Sequence, residues 1–167
     1  MRRISVVALV VWAGAALADA GWKTFTFADS GFSASFPAKP NEGSQSQDNE
    51  RFGRMESKVY LAEQGGAAYA VSVTSFAKKV TDKPDALLDG IRDDFVAGTK
   101  GKLRREAPAT VRGFPGRELE LEAPGQSILA RIYLVDTRFY LLVTVHPREN
   151  AGAPNAKRFL DGFTLLR

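Results

Sequence analysis

The chain has 167 residues, 44% hydrophobic, 25% charged and 10% aromatic, with a formal net charge of +4, no cysteine and one histidine. That length gives one domain with room for a real core, and the mixture excludes disordered, collagen-like and coiled-coil classes. Without cysteine there are no disulfides, cysteine nucleophiles, iron–sulfur clusters or thiolate zinc sites, and one histidine leaves little for imidazole metal sites.

The first expected element is an export signal. Met1-Arg2-Arg3 is a short positive start, Ile4 to Leu17 is apolar, and Ala18-Asp19-Ala20 before Gly21 is the small-x-small pattern that signal peptidase accepts. The apolar run is shorter than the ~20 residues that span a bilayer as a helix, which argues against a retained anchor. A lipid anchor would need a cysteine at the cleavage site. We therefore expect a Sec-type signal over residues 1–20, cleavage after Ala20, and a periplasmic or secreted chain from Gly21 to Arg167. Cleavage takes away Arg2, Arg3 and Asp19, so 23 basic and 19 acidic residues become 21 and 18, net +3. The densest basic run, Lys100, Lys102, Arg104 and Arg105, alternates with Gly101 and Leu103 as a solvated strand edge does. Nucleic acid is not an expected partner.

Trp22 to Phe27 and Phe32 to Phe36 alternate large apolar with small or polar residues, the period of half-buried strands. Asp29-Ser30-Gly31 between them is turn chemistry. Pro37 to Phe52 is polar and aperiodic, and is expected as a flexible loop. Arg54 to Ala62 and Ala67 to Phe76 form the next strand pair about Gly65-Gly66, with Tyr69, Val71, Val73 and Ser75 on one face. A helix follows: Asp82 can cap it, Pro84 suits its first turn, Asp85 complements its dipole and Gly98 is a suitable stop. Leu87, Leu88, Ile91 and Phe95 make its apolar stripe, with Asp89, Arg92, Asp93 and Asp94 toward water.

Arg104 to Arg112, Arg117 to Glu122, Ser127 to Val135 and Arg138 to Val145 are expected strands, and Gly113-Phe114-Pro115-Gly116 a tight turn entering the second. Two-residue hairpins at Pro124-Gly125 and Asp136-Thr137 then place Glu118 opposite Arg131, Arg131 opposite Leu142, and Tyr133 opposite Tyr140. Glu118, Arg131, Tyr133 and Tyr140 share one face, and Leu119, Leu121, Ile132, Leu134, Leu141 and Val143 the other. Ser127 to Val135 is apolar on both faces, as in a sheet covered on both sides. After His146-Pro147 comes a loop; Pro154 opens a second helix through Phe159 and Leu160, Gly162 breaks it, and Phe163 to Leu166 is a short closing strand. The expected fold class is α+β: one domain over 21–167, an antiparallel sheet flanked by helices.

Glu118, Glu120 and Glu122 stand at alternate strand positions, so their carboxylates share a face ~7 Å apart. Such a set suits glycosidic chemistry or a hard cation such as calcium, yet Arg131 on the same face accounts for one of them by a cross-strand ion pair. Tyr133 and Tyr140 either stack on a ligand or pack under a helix. Glu118, Glu120, Arg131, Tyr133 and Tyr140 are thus the candidate ligand-binding residues. No catalytic residue, metal ligand or cofactor is assigned. No Gly-x-Ser-x-Gly elbow accompanies His146, which is expected as a solvated strand terminus, and no lysine and helix follow the glycines at 113 and 116 as in a phosphate loop.

Three stretches carry a resemblance: Phe32-Ser-Ala-Ser-Phe36-Pro37-Ala-Lys-Pro40, Gly113-Phe-Pro-Gly-Arg-Glu118, and the segment from Ala130 through Arg138-Phe-Tyr140 to Arg158-Phe-Leu-Asp-Gly-Phe163. Together they resemble a family of small exported bacterial proteins of uncharacterised function in the PsbP/Mog1-like fold group. The resemblance covers nearly all of the chain after the signal and implies an α/β/α sandwich. Gly162 stands where the family commonly has serine. Photosynthetic relatives bind a membrane photosystem and assist its calcium and chloride, but none of their functional residues maps onto this chain, and fold alone brings no function. The expected role is an exported, non-enzymatic accessory or interaction module for an envelope protein or membrane complex. Two alternatives are a periplasmic binder of a small ligand or cation and a hydrolase using a carboxylate pair.

Overall fold

Phe25 and Phe27 alternate with threonines in β1 (Lys23–Phe27), and Phe32, Ala34 and Phe36 alternate with serines in β2 (Phe32–Phe36). The computed structural model describes residues 21–50, 52–78, 83–150 and 154–166, so the expected signal over 1–20 and the expected cap Asp82 lie outside the described residues. β1 and β2 pair antiparallel across a helical turn at Ala28–Ser30, where Gly31 takes a φ of +74°. They do not join the main sheet. With β10 (Thr164–Leu165) they form a separate three-stranded sheet, a split that alternation alone does not announce.

The main sheet has seven antiparallel strands. They are β3 (Asn41–Asn49), β4 (Gly53–Gln64), β5 (Ala67–Phe76), β6 (Lys102–Val111), β7 (Phe114–Ala123), β8 (Gln126–Val135) and β9 (Arg138–Pro147), in the order β3-β4-β5-β9-β8-β7-β6. The segment expected as a flexible loop over 37–52 therefore contains a nine-residue strand, registered on β4 from Asn41–Leu61 to Asn49–Gly53. Its polar sequence gave no alternation because eight of its nine residues are exposed, so neither face selects apolar side chains. The turn between β6 and β7 is also shorter than expected. Arg112 and Gly113 make it, both at positive φ, and Phe114, Pro115 and Gly116 already belong to β7.

The two hairpins at 124–125 and 136–137 give the expected register: Glu118 faces Arg131, Arg131 faces Leu142, and Tyr133 faces Tyr140. Both faces of the sheet are covered. On one, α1 (Pro84–Thr99) lays Leu87, Leu88, Ile91 and Phe95 on a cluster that includes Leu119, Ile132 and Leu141. Lys83, not a side-chain cap, sits at its N-cap, and the helix runs past Gly98 to end on Lys100 in the left-handed conformation. On the other face, the three-stranded sheet and α2 (Pro154–Asp161) bury Phe32, Phe36, Phe159 and Phe163 against Tyr69, Val71, Tyr140 and Leu142. Each such side chain removed from water contributes about 1.5–3 kcal/mol. Hydrogen bonds set the position of this layer. Tyr140 donates its hydroxyl to the Ser30 carbonyl at 2.9 Å, the Ser30 and Tyr60 hydroxyls meet at 2.7 Å, and the Leu166 amide donates to the Gly31 carbonyl.

Candidate functional site

The hairpin registers bring Glu118, Arg131 and Tyr133 onto one face of adjacent strands, under the end of α2. Arg131 is the hub, its side chain 15% exposed. Its Nε donates to Glu118 Oε2 at 2.7 Å, and its Nη2 lies 2.9 Å from Asp161 Oδ1 at the last residue of α2. Burial by itself would lower the Arg131 pKa, but Glu118, Tyr133 and Asp161 hold it above its ordinary value. Burial by itself would raise the Asp161 carboxyl; hydrogen bonds from Lys157 and Arg131 overcome it and hold the carboxyl below the usual range. Asp161 was missed by sequence reasoning. The signal was a carboxylate at a helix C-terminus, where the dipole disfavours it unless a cation is near.

The other carboxylates of the acidic row have their own arginines. Arg105 Nη1 donates to Glu120 Oε1 at 2.7 Å and lies 3.7 Å from Glu118; Arg104 donates to Glu122 Oε2, and Arg148 also pairs with Glu122. So Glu118 and Glu120, read as a ligand or cation pair, each already accept a hydrogen bond from a guanidinium group. Among the described residues no group of three or more histidine or acidic side chains is placed to hold a metal ion.

The two tyrosines are core. Tyr133 is 4% exposed and stacks on Phe163 with ring centres 5.9 Å apart, while Tyr140, 2% exposed, meets the same ring edge-on at 5.5 Å. Burial raises the Tyr133 pKa, partly offset by the adjacent Arg131. Gly116 lies directly across from Tyr133, and the tyrosine ring covers it so closely that a Cβ there would stand 2.6 Å from Cδ1. The Gly–Tyr pair is how the strand accommodates a large ring stacked on Phe163.

His146 differs from expectation. It is 4% exposed rather than solvated, set edge-on to Tyr69 at 5.6 Å, and its Nε2 is buried with no hydrogen-bond partner. Desolvation holds its pKa below the ordinary imidazole value. Beyond the same end of the sheet Trp22 packs on Tyr69 and receives the Arg158 guanidinium 5.1 Å from its ring centre.

On the α1 face, Arg92 and Arg117 clasp the helix to the sheet edge. Arg92 reaches Asp89, Asp93 and Glu106 at 2.9–3.0 Å, and Arg117 reaches Asp85 at 2.7 Å and Glu106 at 3.2 Å. Arg92, read from spacing as solvent-facing, is turned back onto β6. The ionic groups near both helices thus tie layers together.

No protein-family model matches the chain, and no curated protein sequence matches it. A solved structure does. Cyanobacterial PsbP (CyanoP) from Synechocystis sp. PCC 6803, determined in solution, is similar over 94% of this chain and 98% of its own, with a TM-score of 0.58 and 10% sequence identity. The chain has a PsbP-like fold. At that identity the likeness concerns architecture alone, and it agrees with the α+β fold class expected from the sequence, with two antiparallel sheets where one was expected. Within this PsbP-like frame, Glu118 and Arg131 tie the sheet to α2 through Asp161, Tyr133 and Tyr140 pack in the core, and Glu120 pairs with Arg105 of the neighbouring strand. The exposed polar element is β3. No helix among the described residues is long and apolar enough to cross a membrane.

Proposed function

We propose that this protein is an exported accessory module, periplasmic or secreted, that binds an envelope protein or membrane complex and does no catalysis of its own. The observation that carries the reading is the β3–β4 hairpin, which sets a nine-residue polar strand at the border of the main sheet with eight residues exposed. A strand that buries almost no apolar surface adds little to the stability of the fold, and a long exposed edge is a site where another chain can pair. The arginine pairing of Glu118, Glu120 and Glu122 also supports a binding role over a hydrolytic one, since each of the three is already engaged by an arginine of the protein itself. The poverty of the sequence in histidine and cysteine points the same way.

The test is co-purification. Tagged protein expressed with its own N-terminus and recovered from gently solubilised envelope should bring down one partner in stoichiometric amount. Repeated recovery of the protein alone from the envelope fraction and the medium would refute the reading.

A further inference from the structure

The two edges of the seven-stranded sheet differ in kind. β6 carries the devices that keep an edge from pairing: Pro108, which has no N–H to offer, an irregular register between Leu103 and Arg105, and the cations Lys102, Arg104 and Arg105. β3 carries none of these. Its nine residues include no proline, lysine or arginine, and its register on β4 is unbroken. Alternate residues of such an edge turn both N–H and C=O outward. Polar side chains on both faces keep the strand compatible with water without covering that backbone.

Resting on the module reading above, we propose that β3 is a docking edge that takes an extended basic segment of a partner protein as an eighth strand. Glu42, Ser44, Ser46 and Asp48 alternate onto one face, opposite Tyr60, Lys58, Glu56 and Arg54 of β4; Asn41, Gly43, Gln45, Gln47 and Asn49 take the other. An incoming strand therefore meets two carboxylates on one face, six residues apart, with two hydroxyls between them, of which Ser46 Oγ accepts from Arg54 Nη2 at 2.9 Å. Because side chains alternate with a period of two, cations spaced by the same even number on the partner meet both carboxylates at once. The Arg54 contact to Asp48 is 4.0 Å long and exposed at both ends, so it holds that carboxylate only weakly. A second copy is the poorer occupant. Antiparallel pairing of two β3 strands about Gln45 sets Glu42 against Asp48 twice, and like charges directly opposed are destabilising. The β6 edge of another copy lacks a donor at Pro108.

The probe is a threonine–valine peptide as long as β3 with two lysines six residues apart, titrated into the full-length protein. Three control peptides accompany it: one of the same composition with the lysines five apart, which an extended chain turns to opposite faces, and two N-methylated at alternate residues, one in each phase. We expect the six-apart peptide to bind at least about tenfold more tightly than the five-apart one, N-methylation to abolish binding in one of its two phases, and alternate β3 amides to gain hydrogen-exchange protection. Glu42→Lys with Asp48→Lys should weaken binding at least about tenfold while leaving the melting temperature in place, since both side chains are exposed. Equal affinity for the two lysine spacings, no affinity for the six-apart peptide, or protection confined to other strands would overturn the docking edge. Envelope pull-downs with wild type and the double variant separate the two readings. Capture of one stoichiometric partner by wild type and its loss in the variant supports both. Equal capture leaves the module reading standing and removes the docking edge; capture by neither removes both.

Discussion

Gly116→Ala is a one-carbon change that the structure turns into a large perturbation. The position has no positive φ, so the backbone itself tolerates alanine; the obstacle is space. A Cβ there would fall against the Ile132 carbonyl oxygen and stand 2.6 Å and 3.1 Å from Cδ1 and Cε1 of Tyr133. The carbonyl belongs to the β8 ladder and cannot yield. The ring can swing away only by leaving Phe163, on which it stacks at 5.9 Å. Overpacking of this kind costs about 1–3 kcal/mol, and the lost ring pair adds about 0.5–1.5 kcal/mol. Alanine restricts the unfolded chain and returns about 0.4–1 kcal/mol. Strain wins, with a net loss of about 2–3 kcal/mol, or ~5–10 °C in melting temperature for a domain of this size. Gly43→Ala is the control: nothing lies within 4 Å of its Cβ and it sits on the exposed strand. It should leave the melting temperature unchanged or raise it by ~2 °C. Differential scanning calorimetry on both variants decides the matter, and a Gly116→Ala protein that melts within about 2 °C of wild type would show that the Tyr133 layer is not packed as described.

Three further outcomes follow from other contacts. Gly162→Ser places a Cβ 3.0 Å from the Ser35 Cβ and Oγ and 3.1 Å from the Arg158 carbonyl. We expect a loss of about 1 kcal/mol, recovered on adding Ser35→Gly, both read by thermal melting. The Asp161 carboxyl is held below its usual range, so its contribution is complete above the unfolded value near ~4 and is lost as pH falls through the lower folded value. Asp161→Asn should lower stability at pH 7 and flatten the acid limb of a stability–pH curve. His146 has a folded pKa below its ordinary value, so the unfolded chain takes up a proton first as pH falls. Stability should decline from about pH 6.5 downward, and His146→Leu should remove that decline when denaturant midpoints are compared at pH 8 and pH 5.

What the sequence made legible was local. The registers joining β7, β8 and β9 were readable because two short turns fix them by addition and because a one-residue slip would turn Leu119, Ile132 and Leu141 off the α1 face together. The Glu118–Arg131 pair came with that register. Asp161 did not, because it arrives from α2, whose angle over the sheet is set by tertiary packing. His146 was misread for a related reason. A strand terminus before proline reads as wet, and only the neighbouring Tyr69 ring and the layer over it make the site dry. The division into two sheets was also hidden, since alternation tells which face of a strand is apolar and not which strand it joins.

β3 is the most instructive of these. Periodicity detects a strand only through the burial of one face, so a strand with both faces in water is invisible to it however well its backbone is paired. The same property makes β3 informative once its place is known. β3 runs nine residues in unbroken register on β4, so what it gives its own fold is backbone pairing along that strand and almost no apolar burial. The polar run that sequence patterning passes over as a loop is thus where the proposed docking edge is put to the test, and the even spacing of Glu42 and Asp48 along it is what a partner strand would have to match.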